Sequence, residues 1–453
     1  MQEDKEERME LDMTKGSPFR LIVKFMIPIL MGNIFQQFYN VMDTVIVGRF
    51  VGVDALAAVG ATGTISFLIL GFMQGLTTGF TVLTSQRFGA GDREGVKKSV
   101  GNACILAVVI TVLMTFISVR GMDWLLRTMQ TPEDIFEMSK TYITIICWGM
   151  GFTILYNLLS SMLRAVGNSR VPLYFLGIAA GLNIVLDLIL ILPFHMGVAG
   201  AALATVVSQG VSGVLCLIYI IRKVPLLTIQ KCHLEPDAAC MKNQLSIGIP
   251  MALQFSITAV GVIMVQAALN MLGSTVVAAN TVAGKVEQFA TQFYAAMGTA
   301  MATYSAQNRG VGDLERVKKG SRAAFGISAV YGIVAFVVLQ AALPWLVSLF
   351  VTGDITEVLY YVRIYITISG PFFIPLGMIF IYRNVMQGCG YGFLPMMGGV
   401  VELVCRGVLA VIAANLMSYA GVCCANASAW CVTGIYSWFA YRHVMKNLEK
   451  QLE

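Results

Sequence analysis

Long apolar spans constrain the fold of this chain more than any other feature. Of its 453 residues, 57% are hydrophobic and only 12% are charged, whereas about a quarter of a soluble globular chain is charged. About 20 consecutive apolar residues cross a bilayer as an α-helix. The sequence predicts twelve such spans: 21–47, 54–83, 99–120, 138–160, 167–192, 197–221, 244–271, 276–304, 323–350, 360–382, 389–414 and 419–441. We therefore expect an all-α polytopic membrane protein with twelve transmembrane helices.

Basic residues alternate between the two sides of these spans. Twenty-four Lys and Arg residues share the side of the N-terminal segment, five fall on the other side, and Lys285 and Arg406 lie within spans. Because cytoplasmic loops are the basic ones, both termini are predicted to be cytoplasmic, in a plasma (inner) membrane. The net charge of +6 then reflects topology and gives no indication of a nucleic-acid partner.

The chain contains an internal repeat. The segment QRFGAGDREGVKK at 86–98 recurs 221 residues later as QNRGVGDLERVKK at 307–319, with eight of thirteen positions identical. Pro28 and Pro250 correspond at nearly the same shift. Such repeats predict two six-helix lobes related by a pseudo-two-fold axis along the membrane normal, an arrangement typical of alternating access. The predicted domains are an N-terminal lobe at 1–221, a cytoplasmic linker at 222–243 and a C-terminal lobe at 244–453.

A single carboxylate interrupts the first span. Asp43 lies in the otherwise uncharged stretch 28–48, where a charge at hydrocarbon depth costs about 2.5 kcal/mol or more and must face protein or water. Helical spacing places Gln36, Tyr39 and Asn40 on the same face as Asp43. Such a stripe lines either a pathway or a polar helix interface, and we interpret it as part of a substrate cavity.

Span five supplies a second acid. Asn183 and Asp187 are four residues apart, as are Thr205 and Gln209 in span six, so each pair shares a helix face. Two close carboxylates in a low-dielectric interior cannot both ionise cheaply. Together with the neutral oxygens of Asn183 and Thr205, the acids predict a proton or Na⁺ site. The alternative is that Asp187 only hydrogen-bonds a neighbouring helix.

The second half carries a different set of charges within its spans. Glu402 and Arg406 are spaced i, i+4, which favours a local pair. An interhelical structural pair explains Lys285 and Glu287 at least as well as a ligand site does. The predicted cavity residues of this half are Gln254, Lys285, Glu287 and Gln288. The chain's 26 Met and 25 Phe residues include side chains suited to a cavity for apolar cations.

Sequence signatures of enzymes are missing. The chain has no G-x-x-x-x-G-K-[ST], no H-E-x-x-H and no G-x-S-x-G. We therefore expect no enzyme activity, and no cofactor beyond a coupling ion. We also expect a monomer in the lipid bilayer.

In combination, these features resemble the multidrug and toxic compound extrusion (MATE) family. The resemblance rests on the two six-span halves, on Met42-Asp43-Thr44 with Gly48, and on the repeated Gln-x-x-Gly-x-Gly-Asp loops, and it extends over about 15–442. It implies a V-shaped pair of lobes that exports small organic cations or amphipathic drugs in exchange for Na⁺ or H⁺ by alternating access.

The resemblance also implies roles for individual residues. Members of the family build a first-lobe cation site from a first-helix Asp, a fifth-helix Asn-x-x-x-Asp and a sixth-helix Thr. The matching residues here are Asp43, Asn183, Asp187 and Thr205. With sodium coupling, the two acids would bind the metal, and Asn157 matches a further polar cavity residue. One Na⁺-coupled branch carries second-lobe acids in helices seven and ten. Span seven has none here, and only Glu357 lies near the start of span ten, so coupling is assigned to the first lobe.

Two rival functions fit part of the pattern. A flippase of a lipid-linked precursor shares a two-lobed fold, but it needs a strongly cationic cavity to hold pyrophosphate. The intramembrane cations Lys285 and Arg406 are accompanied by acids in the same spans, which disfavours that function. A channel or receptor is disfavoured by the duplicated halves and the buried acids.

The predicted topology can be tested by cysteine labelling. An impermeant maleimide added outside intact cells should modify Gln130→Cys, in the predicted outer loop 121–134, and should leave Lys318→Cys unmodified, because basic loops remain in the cytoplasm. The reverse labelling pattern would overturn the orientation.

Overall fold

The structure is a computed structural model that describes residues 11–129, 131–350 and 355–452. The first ten residues of the predicted cytoplasmic N-terminal segment, and Gln130 of the predicted outer loop, lie outside this range. The described α-helices are α1 (Pro18–Phe50), α2 (Val53–Gly89), α3 (Arg93–Thr128), α4 (Glu133–Trp148), α5 (Met150–Ala165), α6 (Arg170–Ile191), α7 (Gly197–Lys223), α8 (Ala238–Asn270), α9 (Ser274–Val311), α10 (Leu314–Ser348), α11 (Thr356–Ser369), α12 (Phe373–Gly388), α13 (Phe393–Asn415) and α14 (Tyr419–Leu452).

Two pairs of these helices each form one span. Helices α4 and α5 meet at an angle of 47° at Gly149, where a Cβ would lie 2.2 Å from the side chain of Val206 on α7. Helices α11 and α12 are joined by the short 3₁₀ turn Gly370–Phe372. With each pair counted once, the described helices correspond to the twelve predicted spans, and the predicted fold class is confirmed.

Ten of these spans are long and apolar enough to cross a membrane, if the bent α4–α5 pair counts as one. Of the described helices, α9 and α14 are the long ones that fall short of that apolarity. Helix α9 carries Lys285, Glu287 and Gln288 in its first half, and Thr, Gln, Ser and Asn residues along the rest of its length also lower its apolar content.

The helices pack into two compact units. One consists mainly of Ile27–Ala252, and the other of Met13–Met26 together with Leu253–Glu453. Helices α1 and α8 are therefore each divided between the units, and the division falls beside Pro28 and Pro250, the prolines paired by the repeat. The boundaries predicted at 221 and 244 remain a prediction about domain organisation.

Each unit has its own apolar core. The first is built around residues such as Met73, Ile143, Met162 and Ala202, and the second around residues such as Ala283, Leu343, Ile366 and Val422. In the first unit, a Cβ at Gly75 would lie 2.7 Å from the backbone of Ala252, and one at Gly79 would lie 2.4 Å from that of Gly248. The glycines of α2 thus allow α8 to pack backbone against backbone.

The predicted linker contacts the start of α3 within the first unit. Its 3₁₀ turn Lys231–Leu234 places His233 Nε2 3.1 Å from Glu94. Lys98 pairs with Asp237 at 2.7 Å, and Asn102 accepts a hydrogen bond from the backbone N–H of Asp237 at 2.8 Å. Lys98 and the backbone N–H of Cys240 lower the pKa of Asp237 to about 2, so this ion pair stays charged at physiological pH.

The second copy of the repeat contacts the N-terminal segment within the second unit. The backbone N–H of Met13 donates to Gln307 at 2.9 Å. The carbonyl of Met13 accepts from Asn308 at 3.2 Å and from the Arg316 guanidinium at 3.2 and 3.4 Å. Met13 is fully buried. Each copy of the repeat therefore holds the segment that leads into α1 or α8, the two helices that are divided between units.

The contact at Met13 predicts an effect of Arg316. Arg316→Met removes two charged donors from the Met13 carbonyl, each worth about 1.5 kcal/mol or more. Thiol labelling of Met13→Cys should then become about 10-fold faster or more, in a background with the exposed Cys232 and Cys424 replaced by serine. Arg322→Met, at an exposed arginine of the same helix, is the matched control. Equal labelling rates in the two variants would contradict the anchoring role.

Candidate functional site

Two buried acids approach each other in the first unit. Asp43 comes from the second half of α1 and is 7% exposed, and Asp187 comes from α6 and is fully buried. Their carboxyl groups are close enough for their charges to interact. Helix α1 packs on α6 through Gly32, whose Cβ position lies 3.6 Å from Leu176. The predicted acid pair is therefore brought together by helix packing.

Neutral oxygens surround the acids. Asn183 is one turn before Asp187 and donates from Nδ2 to the hydroxyl of Thr205 on α7 at 3.4 Å. One turn further along α7, Gln209 donates to the hydroxyl of Tyr39 at 3.5 Å, and the Gln36 side chain also reaches that hydroxyl. All four residues of the predicted coupling site thus lie together, and Tyr39 and Gln209 adjoin them.

Several oxygens of this cluster lack hydrogen-bond donors. Within the described part of the chain, no donor reaches Asp43 Oδ1, Asn183 Oδ1 or either carboxylate oxygen of Asp187. Buried polar atoms are nearly always hydrogen-bonded, and an unpaired buried charge is costly. Acceptor oxygens that converge without donors can be satisfied by a proton or by a hard cation. The arrangement can therefore bind either.

The remaining predicted first-half residues lie nearer the surface of this unit. Gln36 and Asn40 are exposed on α1, and the Asn40 backbone carbonyl accepts from Thr44 at 2.8 Å. Asn157 is half-buried on α5. These exposed polar groups lie on helices that also carry the buried acids or pack near them.

The second unit arranges its charges differently. Tyr365 on α11 donates a hydrogen bond to Glu287 on α9, and Arg406 pairs with Glu402 one turn away on α13. The predicted local pair of Glu402 and Arg406 thus forms. Each acid of this set has a protein partner, in contrast with the acids of the first unit.

The other predicted second-half residues separate into two environments. Gln254 is 7% exposed and accepts from Gln387 on α12 at 3.1 Å, so it lies inside the packing of the unit. Lys285 and Gln288 are both exposed on α9. The structure therefore does not gather the four predicted residues of this half into one cluster.

Three neighbours of these sites were missed in the sequence. Tyr142 on α4 is buried near Asp43, Tyr39 and Asp187, and Tyr365 and Gln387 hold Glu287 and Gln254. Each is a polar side chain within an apolar span, and this feature of the sequence could have marked all three as candidate site residues. Their partners lie on other helices, so residue spacing within one helix could not assign them.

Known proteins share this sequence and fold. A family model described as MatE matches residues 28–189 and 247–412. "Probable multidrug resistance protein YpnP" of Bacillus subtilis is 31% identical over 308 residues, which cover 68% of each chain. "Probable multidrug resistance protein NorM" of Thermotoga maritima is 26% identical over 381 residues, which cover 83% of this chain and 81% of the relative.

Solved structures agree at the level of the fold. The outward-facing conformation of a multidrug resistance MATE family transporter of the MOP superfamily superposes with a TM-score of 0.91 at 22% identity, covering 96% of this chain and 98% of the other. A MATE in the straight conformation superposes with a TM-score of 0.90, also at 22% identity, covering 97% and 98%.

The fold and the matches define the class as a polytopic helical membrane transporter, which is not an enzyme. The chain belongs to the MatE family. The family resemblance predicted from the sequence is thereby confirmed.

The unpartnered acids predict an unusual pattern of stability. Asp187→Leu removes two buried oxygens without donors and should leave the thermal unfolding temperature in detergent unchanged or higher. Asn102→Leu is the matched control, because Asn102 is equally buried but hydrogen-bonded to Lys98 and Asp237. That control should lose about 1–3 kcal/mol of stability. An equal loss in both variants would contradict the assignment of unsatisfied oxygens at Asp187.

Proposed function

We propose that this chain is a secondary-active exporter that moves cationic or amphipathic organic compounds outwards in exchange for an inward flow of Na⁺ or H⁺. The observation that carries the proposal is the pair of buried acids, Asp43 and Asp187, in which Asp43 Oδ1 and both carboxylate oxygens of Asp187 lack protein donors. A transporter driven by a cation gradient needs such a site, because the ion must bind from one side and leave to the other. Support also comes from relatives described as multidrug resistance proteins.

The coupling ion acts by removing bare charge from the first unit. A proton or Na⁺ at Asp43 and Asp187 neutralises one carboxylate, and the oxygens of Asn183 and Thr205 complete the ligand set. The ion changes the packing of α1, with bending at Pro28, where the missing N–H weakens the helix. The altered cavity then releases the organic compound to the outside.

The substrate side of the proposal rests on exposed polar and apolar groups. Gln36 and Asn40 supply hydrogen-bonding groups on α1, and Phe35 and Phe38 of the same helix are exposed as well. Flat aromatic and neutral polar surfaces accommodate many amphipathic cations. The exporter would act as a monomer in the plasma membrane, with both termini in the cytoplasm.

Lipid-precursor flipping has weaker support. A pyrophosphate group carries several negative charges and needs several free cations. In the described spans, Arg406 is paired with Glu402, and Arg383 stacks on Phe380 at 5.1 Å. Lys285 on its own is a poor match for pyrophosphate.

Efflux by coupling-site variants tests the proposal. Asp43→Asn keeps the size of the side chain but cannot exchange a proton or supply a full negative charge to Na⁺, so the protein should insert normally and lose gradient-driven efflux. Asn183→Ala and Thr205→Ala each remove one neutral ligand and should weaken efflux by about fivefold. The measurement is ethidium efflux from proteoliposomes with matched protein content, with Na⁺ and pH gradients imposed separately.

The second-lobe acid is the control. Glu287→Gln should alter packing or substrate range and retain dependence on the gradient, because Glu287 is bound to Tyr365. If Glu287→Gln abolished gradient dependence while Asp43→Asn retained it, the assignment of coupling to the first lobe would be wrong.

A further inference from the structure

Helix α9 has a polar face that the second unit leaves uncovered. Thr281, Lys285, Gln288 and Phe289 are all exposed, and their spacing places them along one side of the helix. The opposite side, which includes Ala283, Val286, Ala290 and Tyr294, is buried in the second unit. Helix α9 is thus amphipathic within a membrane span. We call the four exposed residues the Lys285 face.

The depth of this face in the membrane decides what it contacts. In the predicted span 276–304, Lys285 lies nine residues, or about 14 Å, from the start, which is about half the thickness of a hydrocarbon core of about 30 Å. Intramembrane lysines usually face a bundle interior or a water-filled cavity. The second unit leaves Lys285 exposed, and a water-filled cavity is the intramembrane environment that suits its ammonium group. Gly284 beside it is also open, with no atom within 4 Å of its Cβ position.

Lys285 has no counter-ion of its own. Among the described residues, no carboxylate lies within salt-bridge or hydrogen-bond distance of its ammonium group. Glu287 lies two residues away in sequence, but its carboxylate is bound to Tyr365. Glu402 is paired with Arg406. The acids that accompany the cations in these spans are therefore engaged elsewhere.

We propose that Lys285 is a specificity-determining residue that binds the carboxylate of an amphipathic substrate. Gln288, one turn away, can donate to the same carboxylate, and the exposed ring of Phe289 (48% exposed) provides an apolar surface for the rest of the molecule. A single free ammonium among neutral groups matches one negative charge. The inference rests on the proposed export function and specifies that its amphipathic substrates include molecules with a free carboxylate.

Equilibrium binding to the purified full-length protein tests the inference without requiring transport. The probes are a zwitterionic aromatic amine with a free carboxylate, and its methyl ester, which is a cation of nearly the same shape. Wild type should bind the free carboxylate more tightly than Lys285→Gln does, by about 10-fold or more, because a charge-assisted hydrogen bond is lost. The ester should bind both proteins equally well. Lys285→Arg should retain the preference for the carboxylate.

A second measurement tests whether position 285 faces water. Lys285→Cys should react with a water-soluble maleimide, since a thiol in hydrocarbon does not ionise, and the carboxylate probe should slow that reaction while the ester does not. Failure of Lys285→Cys to react, or equal losses of both probes in Lys285→Gln, would overturn the inference. If the binding pattern holds but neither probe is exported under an imposed ion gradient, the proposed export function fails instead.

Discussion

The close approach of Asp43 and Asp187 in a buried interior is the interaction on which the function proposed for the first unit depends. Neither acid has a protein donor for all of its oxygens, and two adjacent carboxylates cannot both carry charge in low dielectric. The apolar packing of α1, α6 and α7 therefore favours a state in which at least one of the two acids is neutral. Such a site remains sensitive to any ion that enters it, because there is no internal partner for the ion to displace. A fully hydrogen-bonded acid would be more stable and less responsive.

The two halves share a scaffold but differ in their polar chemistry. Both repeat loops hold a lead-in segment, through Glu94 and Lys98 in one half and through Gln307 and Arg316 in the other. The acids differ, since Asp43 Oδ1 and both carboxylate oxygens of Asp187 lack donors, whereas Glu287 is bound to Tyr365 and Glu402 to Arg406. The elements that position helices are alike in the two halves, whereas the buried polar side chains differ.

The sequence predicted the spans and the shared helix face of Asn183 and Asp187 because both depend on local patterns, whereas the grouping of these residues with Asp43, on another helix, depended on the family resemblance as well. Hydropathy gives a membrane helix directly, and the four-residue spacing of Asn183 and Asp187 puts them on one face. Partners on other helices, such as Tyr142 and Tyr365, depend on packing that residue spacing within one helix does not encode. The same limit explains why the sequence did not predict that Lys285 lacks a counter-ion. Its neighbours in sequence suggested that acids balance it, yet those acids bind Tyr365 and Arg406.

The anchoring of Met13 also has a consequence for biosynthesis. The Met13 backbone N–H binds Gln307, which is 294 residues further along the chain, so at about 5–20 residues per second the anchor is made about 15–60 s later. Glu94, in contrast, is already present when His233, 139 residues after it, leaves the ribosome. The linker can therefore dock as it is made, whereas the start of the chain must wait for the second half. Fastening of the N-terminal segment is thus a late event in assembly, and a truncated chain that ends before Gln307 cannot complete it.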